Sequence, residues 1–190
     1  MAASKELWVF GYGSLVWNPG IAVAETRRAT LRGFRRRFCM WSIHHRGSLT
    51  DPGLVLALEP GEGAACEGIA LRAADPDAAL AELRERELVS AAYHERGLTL
   101  STDAGDLPAI GYVVDTAHDQ YARDLSLDEQ ARIIAHAVGG RGPNHEYLSN
   151  TARSLAALDI DDPDLEWLVA RVQQIRQQAG RPLVTAKPPV

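Results

Sequence analysis

The chain has 190 residues, of which 46% are apolar and 24% charged, with a formal net charge of −5. These values suit one domain with enough residues to bury a core, and they exclude a disordered chain, a collagen-like repeat and a pure coiled coil. The acidic balance argues against a general nucleic-acid binder, and no apolar run approaches the ~20 residues of a membrane helix. Cys39 and Cys66 are too few for a disulfide framework or a four-cysteine zinc site. The N-terminus has no basic segment leading into an apolar core, so no secretory signal is read. The expectation is a cytoplasmic, reduced, metal-free domain spanning 1–190.

Short apolar runs dominate the first two-thirds. LWVF (7–10), RRFCMWSI (36–43), LVLAL (54–58), EGIAL (67–71), RGLTL (96–100) and AIGYVV (109–114) read as strands. Turns such as Asp51-Pro52-Gly53 and Asp103-Ala104-Gly105-Asp106 separate them. Connections this short favour antiparallel or mixed pairing over βαβ alternation. Asp75-Pro76 opens a helix reaching about Leu88, with Asp as cap and Pro at the first helical position. Ser126 and Glu129 form a capping box, and that helix can end at Gly139. Asn144 caps a helix to about Leu158, and Asp162-Pro163 starts a last one to about Ala179. The segment 180–190, ending Lys187-Pro-Pro-Val190, reads as a frayed tail. The sum is an α+β chain with a β-rich body and a helical C-terminal section.

Several familiar motifs fail. In a dinucleotide fingerprint starting at Gly11, the third glycine would fall on Val16. There is no P-loop and no H-E-x-x-H. His44 and His45 are adjacent, and neighbours on a strand point to opposite faces, a poor chelate. The acidic run from Asp159 to Asp164 lacks the glycine and closing glutamate of a calcium loop, so helix capping explains it better. Arg27, Arg28, Arg32, Arg35, Arg36 and Arg37 form the one basic run. It reads first as a solvated strand face, and alternatively as a docking patch for an anionic partner.

Two features resist a bland reading. Phe10-Gly11-Tyr12-Gly13-Ser14-Leu15 follows the first strand, and glycines flanking Tyr12 let the backbone turn tightly beside a ligand. Successive N–H groups in such a turn can hold an oxyanion; an ordinary tight turn is the alternative. The second feature is Glu87. At roughly 100° per residue it lies within about 20° of Leu80 and on the stripe of Leu83, whereas Glu82 and Glu85 point away. A desolvated carboxylate has a raised pKa, which suits a general base near neutral pH. The alternatives are a buried structural ion pair or a helix that ends before 87. Tyr93 and Tyr147 could supply hydroxyls, or belong to the core.

These residues also carry a resemblance. WVFGYGSLVWNPG (8–20), RGFRRRFCMWSIHHRG (32–47), DPGLVLALEPG (51–61), CEGIALR (66–72), LRERELVSAAY (83–93) and GPNHEYLSNT (142–151) are similar, in order, to the blocks of the ChaC-type, glutathione-specific γ-glutamylcyclotransferases. The resemblance covers about residues 7 to 172. It implies the γ-glutamylcyclotransferase-like fold, with a mixed or antiparallel barrel-like sheet and flanking helices. It implies a catalytic glutamate at Glu87, which keeps the family spacing to Tyr93, and a substrate loop from Val9 through Phe10, Gly11, Tyr12, Gly13 and Ser14 to Leu15. Tyr147 takes the place of the family's late tyrosine, and Arg46 is a candidate carboxylate contact. Ser90-Ala91-Ala92 departs from the pattern, since relatives carry a glycine or two before the tyrosine.

The implied reaction is intramolecular. The α-amine of a γ-glutamyl group attacks its own γ-amide carbonyl, giving 5-oxoproline and, from glutathione, Cys-Gly. The substrate carries its own nucleophile, so no cofactor or metal is expected; the partner is a small molecule, with no nucleic acid and no membrane. The rivals are the same chemistry on other γ-glutamyl amines, and a non-catalytic ligand-binding protein on this fold. Monomer and dimer stay open.

Overall fold

The computed structural model describes residues 6–88 and 90–179; the expected tail lies outside them. Five strands close into a barrel in the order β1-β3-β2-β4-β5. They are β1 (Trp8–Gly11), β2 (Val23–Ser42), β3 (Gly53–Ala73), β4 (Tyr93–Thr102) and β5 (Gly105–Val114). Neighbours pair antiparallel except where β5 closes the barrel in parallel on β1, through Val9 and Ile110, and on β3, through Leu58 and Val113. The fold class is α+β, as expected.

The expected strands 54–58 and 67–71 are two halves of one long strand, β3. Its pairing with β2 jumps from Arg32–Ala65 to Phe34–Pro60, so Gly61–Ala64 stand opposite a single residue, Gly33. Gly33 takes φ +80°, which glycine tolerates at such a bulge. The sequence shows only the glycine-rich interruption EPGEG and not the continuity across it. Likewise β2 starts at Val23, well before the expected 36, and its N-terminal part is the arginine run.

Strand alternation sorts the core. Trp8, Phe10, Ala29, Leu31, Leu58, Ala70, Leu100 and Val113 fill the barrel interior. Val9, Ile69, Leu71 and Tyr112 face outward and are covered by Leu83 of α1 (Pro76–Glu87). Asp75 caps α1 as expected, its side chain accepting from the Asp77 and Ala78 N–H groups. α2 (Leu127–His136), α3 (Asn144–Ala156) and α4 (Pro163–Ala179) pack on the far half of the β2–β3 hairpin, burying Phe38, Leu54, Ile134, Leu148, Leu155 and Leu168.

The Ser126–Glu129 capping box forms. α2 ends at His136, before the expected Gly139, because Ala137 is extended and leads into a two-residue ribbon, β6 (Val138–Gly139) with β7 (Gly142–Pro143). Asn144 is not a cap: it is the first residue of α3, with Pro143 before it. Its fully buried amide instead donates to the Leu54 carbonyl and accepts from the Leu54 N–H, both at 2.7 Å, so it serves β3 as a strand partner would. Among the described residues no helix is long and apolar enough to cross a membrane.

Candidate active site

A cavity of about 390 Å³ opens between the barrel end and α3, within the range of small-molecule sites. Its wall combines the loop after β1, the loop after β2, the end of α1 and Tyr147 of α3. Tyr12, Gly13, Ser14, Leu15, Arg46, Glu87, Tyr93 and Tyr147 all line it, although 135 positions separate the first from the last. Val9, Phe10 and Gly11 do not: Val9 and Phe10 are core side chains on the two faces of β1, and Gly11 is the strand's last residue. They hold the loop from beneath.

The loop is shaped by close approach. Gly13 precedes a single 3₁₀ turn, Ser14–Val16, and a Cβ at Gly13 would lie 3.2 Å from Tyr147 Oη. The Tyr12 hydroxyl donates to the Tyr112 carbonyl at 3.0 Å, and the Tyr12 carbonyl accepts from Arg36 Nη1 at 2.9 Å. The loop is therefore tied on both sides of the barrel wall.

Glu87 is the last residue of α1, with its side chain 18% exposed onto the cavity. Among the described residues it is the only carboxylate in the lining. Burial raises its pKa, opposed by the guanidiniums of Arg86 and Arg141. Its place at a helix C-terminus, where the macrodipole disfavours negative charge, acts in the same sense as burial. Glu82 and Glu85 are exposed, as the helical spacing predicts. Tyr12, Tyr93, Tyr112 and Tyr147 all feel the Glu87 charge, and burial pushes their hydroxyls upward, that of Tyr147 to about 12. At neutral pH they are protonated donors. The Tyr93 hydroxyl donates to the Leu56 carbonyl at 3.3 Å.

The structure adds residues that the sequence reading passed over. Arg86, Arg141, His44, His45, Trp17 and Gln120 line the cavity. His44 and His45 were expected on opposite faces of a strand; β2 ends at Ser42, and both sit in the following bend on the cavity wall. That bend docks on the β6–β7 turn through Gly140 N–H to the His44 carbonyl (2.8 Å) and Arg141 N–H to the His45 carbonyl (2.9 Å). Cβ atoms at Gly47, Gly53 or Gly139 would collide with backbone at 2.0–2.5 Å, so three segments of backbone meet here because each carries a glycine. The signal was present in the spacing of these glycines, but not the pairing. Arg46 stands on this junction, 9% exposed, its guanidinium 5.7 Å from the Tyr147 ring centre and, among the described residues, bonded only to the Pro143 carbonyl at 3.3 Å. Among the described residues no His, Cys, Asp and Glu side chains group in a way that could hold a metal ion.

The model of the ChaC-like protein family matches residues 7–175. The chain belongs to the ChaC-like family. The glutathione-specific γ-glutamylcyclotransferase of Escherichia coli (strain K12) is 34% identical over 172 residues, covering 89% of this chain and 74% of that protein. The mouse (Mus musculus) glutathione-specific γ-glutamylcyclotransferase 1 is 34% identical over 175 residues, covering 88% and 78%. The fold of this ChaC-like chain matches the crystal structure of a γ-glutamylcyclotransferase specific to glutathione from yeast, with a TM-score of 0.84 at 22% identity, over 94% of this chain and 100% of that one. The Ser90-Ala91-Ala92 segment, where the resemblance leads one to expect glycine, holds one left-handed residue. Ala91 adopts φ +53°, the left-handed region in which a glycine is unstrained.

Proposed function

We propose that this chain is a glutathione-specific γ-glutamylcyclotransferase, a lyase that releases 5-oxoproline and Cys-Gly. The observation that carries the reading is Glu87: one carboxylate, its pKa raised by burial, in a cavity whose other polar side chains are neutral or cationic and whose remaining wall is apolar. The names of the relatives support the substrate.

The α-amine of glutathione is an ammonium at neutral pH and has no lone pair to attack with. Glu87 takes one of its protons. The freed amine adds to the γ-carbonyl, closing the five-membered ring; the same carboxyl gives its proton to the departing nitrogen of cysteine, and as that C–N bond breaks it takes the second proton from the ring nitrogen, which the amine of Cys-Gly or solvent then accepts. A carboxyl with a raised pKa can do both, because neither transfer is steeply uphill. As the ring closes, negative charge gathers on the γ-carbonyl oxygen. The backbone N–H groups of Gly13 and Ser14 and the Tyr147 hydroxyl are the donors for it, and each aligned donor is worth about 2.7–4 kcal/mol. Holding the flexible glutamyl chain folded, amine against carbonyl, is the proximity contribution of the cavity. Arg46 and Arg141, cationic and without a carboxylate partner among the described residues, suit the substrate's two carboxylates. The proposed location is the cytoplasm.

The test is 5-oxoproline release by the purified protein. Reduced glutathione is the expected substrate, ahead of oxidised glutathione and γ-glutamyl dipeptides; preference for another γ-glutamyl donor replaces the substrate but keeps the chemistry. Release from none of them removes the reading. Glu85→Gln is expected to remain active, because Glu85 is exposed and outside the cavity.

A further inference from the structure

Arg86 is set apart from the other cavity cations by how fully it is engaged. Its Nη2 donates to Ser14 Oγ at 2.8 Å, its Nη1 to the carbonyls of Asn18 (2.8 Å) and Pro19 (3.3 Å), and its Nε lies 3.1 Å from Glu87 Oε1. Every nitrogen of the guanidinium is used, so little of it is left for a substrate. The turn it grips makes room for it: Gly20 takes φ +68°, and a Cβ there would lie 3.0 Å from Arg86 Nη1. The result is a single rigid fork joining three things the chain keeps apart, namely the loop that begins at Gly13, the turn at 18–20 and the carboxylate at the end of α1.

We propose that Arg86 is the positioning residue of this site, fixing Ser14 and Glu87 relative to each other so that the oxyanion donors and the proton acceptor meet one substrate in register. The proposal rests on the reading of Glu87 as the general base. A planar guanidinium can hold three partners in fixed directions, which a lysine ammonium on a flexible stem cannot. Its charge has a second effect: beside a carboxylate that burial drives toward its neutral form, the cation favours the ionised form that can accept a proton. The other charged group acting on Glu87 is Arg141 from the β6–β7 turn. The facing hydroxyls, Tyr12, Tyr93, Tyr112 and Tyr147, stay protonated near neutral pH. His44, His45 and Arg46 share the cavity wall from the bend after β2. All of these persist when Arg86 alone is replaced.

The experiment compares wild type, Arg86→Gln and Arg86→Lys by kcat/KM for glutathione across roughly pH 5 to 9, alongside an NMR titration of the Glu87 carboxyl carbon. Arg86→Gln is expected to lose about 10²-fold in kcat/KM, the scale of a misplaced catalytic group, and to move the acidic limb to higher pH. Arg86→Lys is expected to return the limb toward wild type without restoring the rate, since it keeps the charge and loses the fork. An Arg86→Gln limb that coincides with wild type, or an Arg86→Lys enzyme at wild-type rate, overturns the proposal. Should Arg86→Gln fail to fold, the Lys variant decides by the same criterion. If wild type releases no 5-oxoproline, the catalytic reading fails, while the Glu87 titration still reports whether Arg86 governs that carboxyl.

Discussion

The six arginines of β2 and the three of the cavity use the same side chain for opposite ends. On β2, Arg27 pairs with Glu25 at 2.6 Å, Arg28 with Glu67 at 3.3 Å, and Arg35 and Arg37 share the buried Glu59. Arg36, 4% exposed, meets Asp162 at 2.8 Å and donates to the carbonyls of Tyr12 and Glu67. Five members of the run are thus matched by a carboxylate, Arg27 by one on its own strand and the other four by carboxylates from elsewhere in the chain, which supports the solvated-strand reading over a docking patch. In the cavity the ratio is inverted: among the described residues its wall holds three arginines, Arg46, Arg86 and Arg141, and one carboxylate, Glu87. Where a cation has its counter-charge built in, it holds the fold. Where counter-charge is short, as proposed for Arg46 and Arg141, the surplus suits an anionic substrate.

The comparison breaks most sharply at Glu87. Replacing it with Gln is expected to abolish 5-oxoproline release from glutathione, by at least the ~10²–10⁴-fold that proton transfer supplies. The same variant is expected to match or exceed wild type in Tm at pH 8. The sign follows from the raised pKa: the ionised Glu87 disfavours the native state above its folded pKa, and that penalty disappears below the unfolded value. The Tm difference should therefore shrink as pH falls through the ordinary carboxylate range, and a large loss of Tm at pH 8 would show Glu87 to be a structural ion pair.

Next in size is the contrast between Arg46 and Arg36. Arg46→Gln is expected to raise KM for glutathione about 10²-fold, the order expected for losing a desolvated charge contact, with a small change in Tm. Arg36→Gln is expected to do the reverse, costing about 3–5 kcal/mol in urea unfolding because it strands a largely buried Asp162. If Arg46→Gln unfolds the protein with KM unchanged, the division between structural and substrate-facing arginines is wrong. Arg28→Gln, in an exposed pair with Glu67, should shift stability by less than about 1 kcal/mol. Ala91→Gly tests the smallest effect. Relief of the left-handed alanine, about 1–2 kcal/mol, is partly offset by the greater freedom of glycine in the unfolded chain. A slight net gain in Tm is expected.

Much of this was legible in the amino acids because it depends on near neighbours. The Asp75 cap and the Ser126–Glu129 box are local hydrogen bonds, and both form where the residues call for them. Glu87 stood out because a helix repeats every 3.6 residues and its stripe should be apolar there. What failed was local too. The runs 54–58 and 67–71 read as two strands and are two halves of one, with a bulge between them, because β2 holds both sides in line. Asn144 looked like a cap, yet its amide is spent on Leu54, 90 residues away. Val9 and Phe10 belonged to a loop by motif, and strand alternation puts them in the core on either side of β1.

By itself the sequence determined the helix starts at Asp75, Ser126 and Pro163, the odd carboxylate on α1 and the family, since each follows from short-range periodicity or from blocks of consecutive residues. Only the tertiary structure decided which cations face that carboxylate. Arg86 is Glu87's neighbour in sequence, but its grip on Ser14 and Asn18 spans 72 and 68 positions, and Arg141 arrives on a separate ribbon docked by three glycines. Coulomb attraction and desolvation act through space, and closing the barrel is what converts distance along the chain into a shared cavity.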